Sequence, residues 1–468
     1  MSSDVLENKT FDEIVIGETA SVQRELRRDD IALFAVITGD ENPTHLDEDY
    51  ASSHGGKLVG HSMWSGALIS GVLGNVLPGP GTIYRSQNLS FNGGVEVGDV
   101  LTVTVSVREK NPADKTVAFD CRVAKANGDA IAQGVAVVIA PSEKISRSRE
   151  PLPEIQLNRH DGFLALQARC GSLEPIVTAV AFPCDDSSLR AALDAAAAGL
   201  IDPILVGPEA TIRRVAEVHG LDLTNRRIVT AGHSVEAAFK AVELVRQGTA
   251  HSLMKGSLHT DELMHEIMVS ATGLRTARRI SHCFIMDVPS YVGPLIITDA
   301  AINIYPTLEE KRDICQNAID LALALGMEPR VAILSAVETI NPKILSTVDA
   351  AALCKMAERG QIIGGILDGP LAMDNAISRD AAKIKKISSP VAGKANILLV
   401  PNLEAGNMVA KELSFLAGAD AAGIVLGARV PVILTSRADS VRSRMASCAV
   451  AVLYAHYLQN NLDQLAGH

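Results

Sequence analysis

Apolar positions change their spacing twice along the chain. Through residues 59–73, which include HSMWSGALISGVL, they are dense enough to make the segment apolar almost all round, as in a buried helix. Downstream the period becomes two. In LTVTVSV, Leu101, Val103, Val105 and Val107 share one face, with Thr102, Thr104 and Ser106 on the other. TVAFDCRV repeats the pattern with Val117, Phe119, Cys121 and Val123. One apolar helix followed by half-buried strands predicts a sheet wrapped round a helix over residues 1–142.

The stretch PSEKISRSREPLPEIQ interrupts this with prolines, alternating charges and few apolar residues, which predicts a solvated connector over 143–159. From 160 to 468 the chain alternates apolar strands with helical stretches. IVTAVAF, PILVG, RIVTAG, CFIMDV, LIITDA, VAILSAV, IIGGILDG, ILLVPN and VPVILTS read as strands; SLRAALDAAAAGL, VEAAFKAVELVRQG and LEEKRDICQNAIDLALALG read as helices. Thr307 with Glu310 makes a capping box for the last of these. Such alternation predicts an α/β/α sandwich with mostly parallel sheet, and its length predicts two subdomains with a cleft. The predicted fold class is therefore α/β multidomain.

Composition narrows the function. Aromatics are 3 % of the 468 residues, so aliphatic side chains do the packing. A net charge of −11 argues against a nucleic-acid or anionic-membrane surface, leaving anionic ligands to local Lys, Arg or helix N-termini. The cysteines (121, 170, 184, 283, 315, 354 and 448) show no CxxC spacing, so neither a disulfide frame nor a zinc site is expected, and no metal is called for. The polar start MSSDVLENKTFDE lacks a signal-peptide core, and no apolar run of about 18 residues predicts a membrane span. A cytoplasmic protein is expected.

Two constellations carry chemistry. In FAVITGDENPTHLDEDY, Asp40 and His45 sit in a polar loop shaped by Gly39 and Pro43. A carboxylate beside an imidazole can activate a water and protonate a carbon in one cycle. A turn cap and a surface imidazole are the plain alternative. The string TGDENPTH, LDEDYA, VGHSM and LPGPGTIYRSQNLSFNGGVEVGDVLTVTV together resemble the MaoC-like (R)-specific enoyl-CoA hydratases, a hot-dog fold family. The resemblance implies Asp40 and His45 as catalytic, Asn42 as the family's Asn, and the backbone N–H of Ser62 as the group that polarises the thioester oxygen. The family usually has Gly after the helix-start His, where this chain has His61-Ser62.

In the second part, polar strings follow apolar strands, where ligand sites of open α/β sheets lie. LDGPLAMDNAIS carries Asp368 and Asp374; VAGKANILLVPNLEAGN carries Gly393, Lys394, Asn402, Gly406 and Asn407. VILTSRADS places Ser436, Arg437 and Asp439 before the final helix, a setting that suits a phosphate. Read singly, Ser436 also fits a helix cap, Asp368 and Asp374 turn residues, and Lys255 and His259 a solvated helix start.

In order, MKGSLHT, GLRTARRISHCFIMDV, ILDGPLAMDNAIS, SPVAGKANILLVPNLEAGN and LTSRADS resemble the phosphate acetyltransferase and phosphate butyryltransferase family. The resemblance implies exchange of acyl-CoA plus phosphate with acyl phosphate plus CoA, with Ser436 and Arg437 holding the phosphoryl group. It makes Arg279 a further anion-binding residue, and Lys255, Asp368, Asn402 and Asn407 substrate-binding. Acetyl-specific relatives carry a carboxylate where this chain has Ser443, so Asp439 becomes the base that takes the CoA thiol proton. No tightly bound cofactor is expected; coenzyme A thioesters and phosphate are substrates. A homo-oligomer is implied by the hot-dog resemblance.

The expected function is thus bifunctional, hydration of trans-2-enoyl-CoA to (R)-3-hydroxyacyl-CoA joined to acyl transfer between CoA and phosphate. The alternatives are a transferase whose hot-dog part only binds acyl-CoA or dimerises, and a non-catalytic acyl-CoA sensor.

Overall fold

The period-two pattern is realised directly. In the computed structural model, which describes residues 5–54, 56–152, 155, 157, 161–434 and 439–461, the chain divides into two compact units, Met1–Leu157 and Asn158–His468.

The first unit holds strands β1 (Val5–Glu7), β2 (Thr19–Glu25), β3 (Ile83–Phe91), β4 (Val100–Asn111), β5 (Thr116–Lys125), β6 (Ala130–Ile139) and β7 (Ser146–Ser148). Five of them form an antiparallel sheet in the order β2-β4-β5-β6-β3. Leu101, Val103, Val105 and Val107 are buried, as are Val117, Phe119, Cys121 and Val123, and together they meet Trp64, Ile69, Val72 and Leu73 of the helix Ser62–Asn75. That is the expected sheet and helix.

Two expectations need correction. The helix starts at Ser62, three residues later than its apolar run, because Val59 instead bridges to Glu96. It is also buried on one face only: Ser62, Met63, Ala67, Ser70 and Gly71 are exposed. Ala and Gly count as apolar in a hydropathy reading, yet on this face they carry little to bury.

The connector is likewise not wholly free. β7 pairs antiparallel with β1, and the nearly buried Asn8 accepts from the Ile145 N–H at 2.8 Å and donates to the Glu143 carbonyl at 2.8 Å. Backbone pairing needs no apolar side chains, so its polar sequence hid it.

The second unit contributes β8 (Ile176–Ala181), β9 (Ile201–Gly207), β10 (Arg227–Thr230), β11 (Ser252–Lys255), β12 (Ser281–Asp287), β13 (Leu295–Thr298), β14 (Arg330–Leu334), β15 (Ile366–Leu371), β16 (Ile397–Leu399), β17 (Asp420–Leu426) and β18 (Val432–Ile433). They form one sheet in the order β10-β9-β8-β11-β18-β17-β12-β13-β16-β14-β15. β10 to β18 is a parallel wing and β13 to β15 another, joined through antiparallel pairs at β18-β17, β17-β12 and β12-β13. Buried on both faces, such strands read as unbroken apolar runs; every residue of β13 and β16 is buried.

The helix Leu308–Ala324 starts with the expected capping box: Glu310 N–H donates to the Thr307 hydroxyl at 3.3 Å, and Thr307 N–H to the Glu310 carboxylate at 2.8 Å. The final helix, Val441–Asn460, is buried from Ala446 to Ala455 among the core strands. β11 and β17 escape the pattern reading. β11 is four residues long, and β17 opens on Asp and small residues. No helix among the described residues is long and apolar enough to cross a membrane.

Candidate active sites

In the first unit the site begins where the helix Arg28–Thr38 stops. Gly39, at φ 72°, takes the left-handed turn that a side chain would strain, and its N–H closes on the Ala35 carbonyl. Asp40 follows with its side chain half exposed, and its carboxylate accepts from the Asn42 N–H at 3.3 Å. Asn42 then caps the short helix Pro43–Leu46 by accepting from the Thr44 N–H at 3.1 Å. One helical step later stands His45. Its Nδ1 lies 2.7 Å from the Val59 carbonyl, an acceptor only, so Nδ1 carries the proton and Nε2 keeps its lone pair.

A third side chain joins them. His61, 3 % exposed, lies with its ring 3.9 Å from that of His45 and its Nε2 3.1 Å from the Asp40 carbonyl oxygen, to which it donates. Polar atoms of Asp40, His45 and His61 all lie within 4.8 Å of one another, a gap that one water can bridge. The same spacing would also admit a cation, so the expected lack of any ligand cluster is corrected: His61 is remote in sequence and completes the group through the fold. His61 makes no side-chain cap to the helix it precedes, and the exposed Ser62 is that helix's first residue. Its N–H belongs to the first turn, whose donors have no partner within the helix.

In the second unit a cavity of about 890 Å³ opens at the centre of the sheet. β11 brings Lys255; β12 brings His282 and Phe284; β17 brings Ala421 and Gly423. Asn407 and Lys411 come from the helix Leu403–Phe415, and Asp439, Ser440 and Ser443 from the start of the final helix. Ser440 is that helix's N-cap, its hydroxyl accepting from the Ser443 N–H at 3.0 Å. A 20-residue helix thus points its positive end at the cavity. Burial holds the His282 imidazole down to about 4, against the opposing pull of the Asp299 carboxylate, so the ring is neutral at physiological pH.

Of the predicted residues, Lys255, Asn407 and Asp439 meet at this cavity. Lys255 ends a strand, while His259 is the N-cap of the helix Thr260–Met268, so the helix-start alternative holds for His259 and not for Lys255. Ser443 also lines the cavity.

Three others stand elsewhere. Asn402 caps the helix Leu403–Phe415 by accepting from the Ala405 N–H at 2.9 Å, so that helix starts before Gly406. Asp368 lies on β15, the last strand of the opposite wing, with its carboxylate accepting from the Gly369 N–H at 2.8 Å. Arg279 lines a separate pocket of about 360 Å³ and is held by Glu310 at 3.1 Å and by Asn303 at 2.6 Å.

Ser436 and Arg437 lie outside the described residues; Leu434 and Asp439, on either side of that segment, both line the cavity. Missed by sequence reasoning were His61, His282, Phe284 and Ser440. A polar His alternating with Phe284 at the edge of the apolar run CFIM was the available signal for the second and third.

Comparison with known proteins follows the same division. The family described as "Phosphate acetyl/butaryl transferase" matches residues 232–452, and the "MaoC like domain" matches 15–127. A phosphate acetyltransferase of Rhizobium meliloti is 70 % identical over 282 residues, covering 60 % of this chain and 89 % of the relative. A branched-chain phosphotransacylase structure from Enterococcus faecalis is 30 % identical with a TM-score of 0.52, over 60 % of this chain and 99 % of that one. An unliganded R-hydratase structure from Pseudomonas aeruginosa is 39 % identical over 33 % of this chain and 99 % of that one, with a TM-score of 0.32. The chain belongs to the phosphate acetyl/butyryl transferase family and carries a MaoC-like hot-dog domain ahead of its transferase part.

Proposed function

We propose that the chain is a bifunctional acyl-CoA enzyme: residues 160–468 exchange a short acyl group between CoA and phosphate, and residues 1–142 hydrate trans-2-enoyl-CoA to (R)-3-hydroxyacyl-CoA. The observation that carries the first activity is the 70 % identity to a phosphate acetyltransferase across 89 % of that relative. The cavity supports it chemically. An oxygen of hydrogenphosphate attacks the thioester carbonyl, the C–O bond forms, the C–S bond breaks, and the phosphate proton passes to the departing thiolate.

Ser436 and Arg437 supply a hydroxyl and a guanidinium to the phosphate in this reading. The start of the final helix adds N–H donors, and Asp439 handles the thiol proton. Asp420 also lines the cavity, its carboxylate held by Arg442 at 2.9 Å.

For hydration, the carrying observation is the hydrogen bond that fixes His45 with Nε2 as the basic nitrogen, beside the Asp40 carboxylate. The pair holds one water. Its oxygen bonds to C3 of the enoyl chain, its proton is delivered to C2, and the thioester oxygen rests on the Ser62 N–H while charge develops there. Both activities are tested on the intact chain, by phosphate-dependent release of free thiol from butyryl-CoA and by loss of enoyl absorbance from crotonyl-CoA. Thiol release without hydration would leave the N-terminal domain a binding module.

A further inference from the structure

Phe284, Ala301, Ala421, Gly423 and Leu434 give the lining of the transferase cavity an apolar share. One polar side chain among them is almost fully buried. His282 is 2 % exposed, lines the cavity, and has an Nδ1 enclosed without any hydrogen-bond partner. Its ring packs edge-on against Phe284 with centroids 4.4 Å apart, an apolar contact that asks nothing of the nitrogens. Asp299, the nearby carboxylate, is occupied by the N–H groups of Ala301, Ile302 and Asn303 at 2.9, 3.0 and 3.2 Å. Gly423 packs close against the ring's other nitrogen: a Cβ there would stand 2.8 Å from the Leu434 carbonyl oxygen and 3.2 Å from His282 Nε2, so only glycine fits beside the imidazole. A neutral imidazole nitrogen that meets no protein group, on a side chain lining the cavity, is a recognition element awaiting a polar atom on the ligand.

An unsubstituted acyl chain has nothing to offer it. The carbonyl is engaged at the reacting centre, and beyond it the chain is hydrocarbon. A chain that has been hydrated carries one polar group more, the hydroxyl on C3, which donates and accepts and so suits either tautomer of the ring. The N-terminal domain, in the function proposed above, makes such chains. We propose that His282 recognises the 3-hydroxyl, so that the transferase takes 3-hydroxyacyl-CoA, the product class of the N-terminal domain, and converts it to a 3-hydroxyacyl phosphate. This rests on the transferase reading of the cavity and deepens it to a substrate class. The fusion then joins two consecutive reactions, with hydration supplying the second site.

The test compares (R)-3-hydroxybutyryl-CoA with butyryl-CoA in phosphate-dependent thiol release by the intact chain. The wild type is expected to use the hydroxylated substrate at least within about tenfold of butyryl-CoA in kcat/KM. In His282→Phe the ratio of the two should fall about tenfold or more, the butyryl value being lowered less, and His282→Gln should recover part of the ratio. Should His282→Phe fail to fold, the wild-type ratio and the Gln variant decide the matter. Wild-type turnover of butyryl-CoA with less than about a hundredth of that value for the hydroxylated chain overturns the proposal. An unchanged ratio in His282→Phe overturns it as well. If no acyl-CoA releases thiol, the transferase reading itself has failed and this inference falls with it.

Discussion

The imidazole rings of His45 and His61 lie 3.9 Å apart, with planes inclined by 35°. His61 also donates to the Asp40 carbonyl, so one buried ring holds both members of the proposed acid–base pair: Asp40 through its backbone, His45 through its face. A loop with exposed flanks is thereby tied to the start of a core helix. Loop residues that must act together within hydrogen-bond reach need such an anchor.

Asp40→Asn keeps the shape of that loop and removes its charge. Hydration of crotonyl-CoA should fall by about 10²- to 10⁴-fold, the range a positioned acid or base supplies, while acyl phosphate formation is untouched. Following enoyl absorbance and free thiol on one preparation checks both halves. Retained hydration would remove Asp40 from the chemistry.

His61→Phe keeps the ring stacked and deletes the donor to Asp40. kcat for hydration should drop about 10- to 100-fold with KM little changed, because positioning rather than binding is lost, and His61→Gln should restore part of it. A merely structural His61 would lower the unfolding temperature and leave kcat alone.

Much of this site was legible because it is local. Gly39, Asp40, Asn42, Pro43 and His45 fall within seven residues, and their turn, cap and spacing are written in one string. The Thr307–Glu310 capping box is legible for the same reason. His61 was not, since its role is a ring contact made across the fold.

In the transferase part, the surroundings of Arg279 could not be read from its string. Its string is strongly basic, but the positive charge is matched by Glu310 on the helix Leu308–Ala324, which only the fold brings alongside. Asn402 and Asp368 sit in polar strings whose side chains turn out to serve caps and turns. β17, opening on small residues, was invisible as a strand, and with it the wall on which Gly423 faces His282.

Burial keeps His282 neutral in the folded protein, with its proton affinity near 4 against an ordinary 6.5. As pH falls through that window the unfolded chain gains a proton that the folded chain refuses. This contribution to stability is complete above pH 6.5 and is lost on acidification, by on the order of 3 kcal/mol by pH 4. Denaturant midpoints between pH 7.5 and 5 should therefore decline more steeply for the wild type than for His282→Phe. Parallel profiles would show that the ring takes up its proton without unfolding.

Burial pushes the thiols of Cys121, Cys170 and Cys184 up to about 11, and those of Cys283, Cys354 and Cys448 up to about 12. At pH 8 each is thiolate about one part in a thousand or less, and the thiolate is the reactive form. Iodoacetamide at that pH should leave the intact mass of the native protein unchanged and label these cysteines only after denaturation. Rapid labelling of the native chain would mean that a thiol is activated and needs a role.

In the proposed reaction the larger part transfers acyl groups to phosphate held by Ser436 and Arg437. Arg437→Ala tests it most directly, read as acyl phosphate formed from acetyl- or butyryl-CoA at saturating thioester. A loss of about a hundredfold or more at fixed phosphate is expected when the guanidinium that clamps a reacting phosphoryl group is removed. Acyl phosphate formation at the wild-type rate would contradict it.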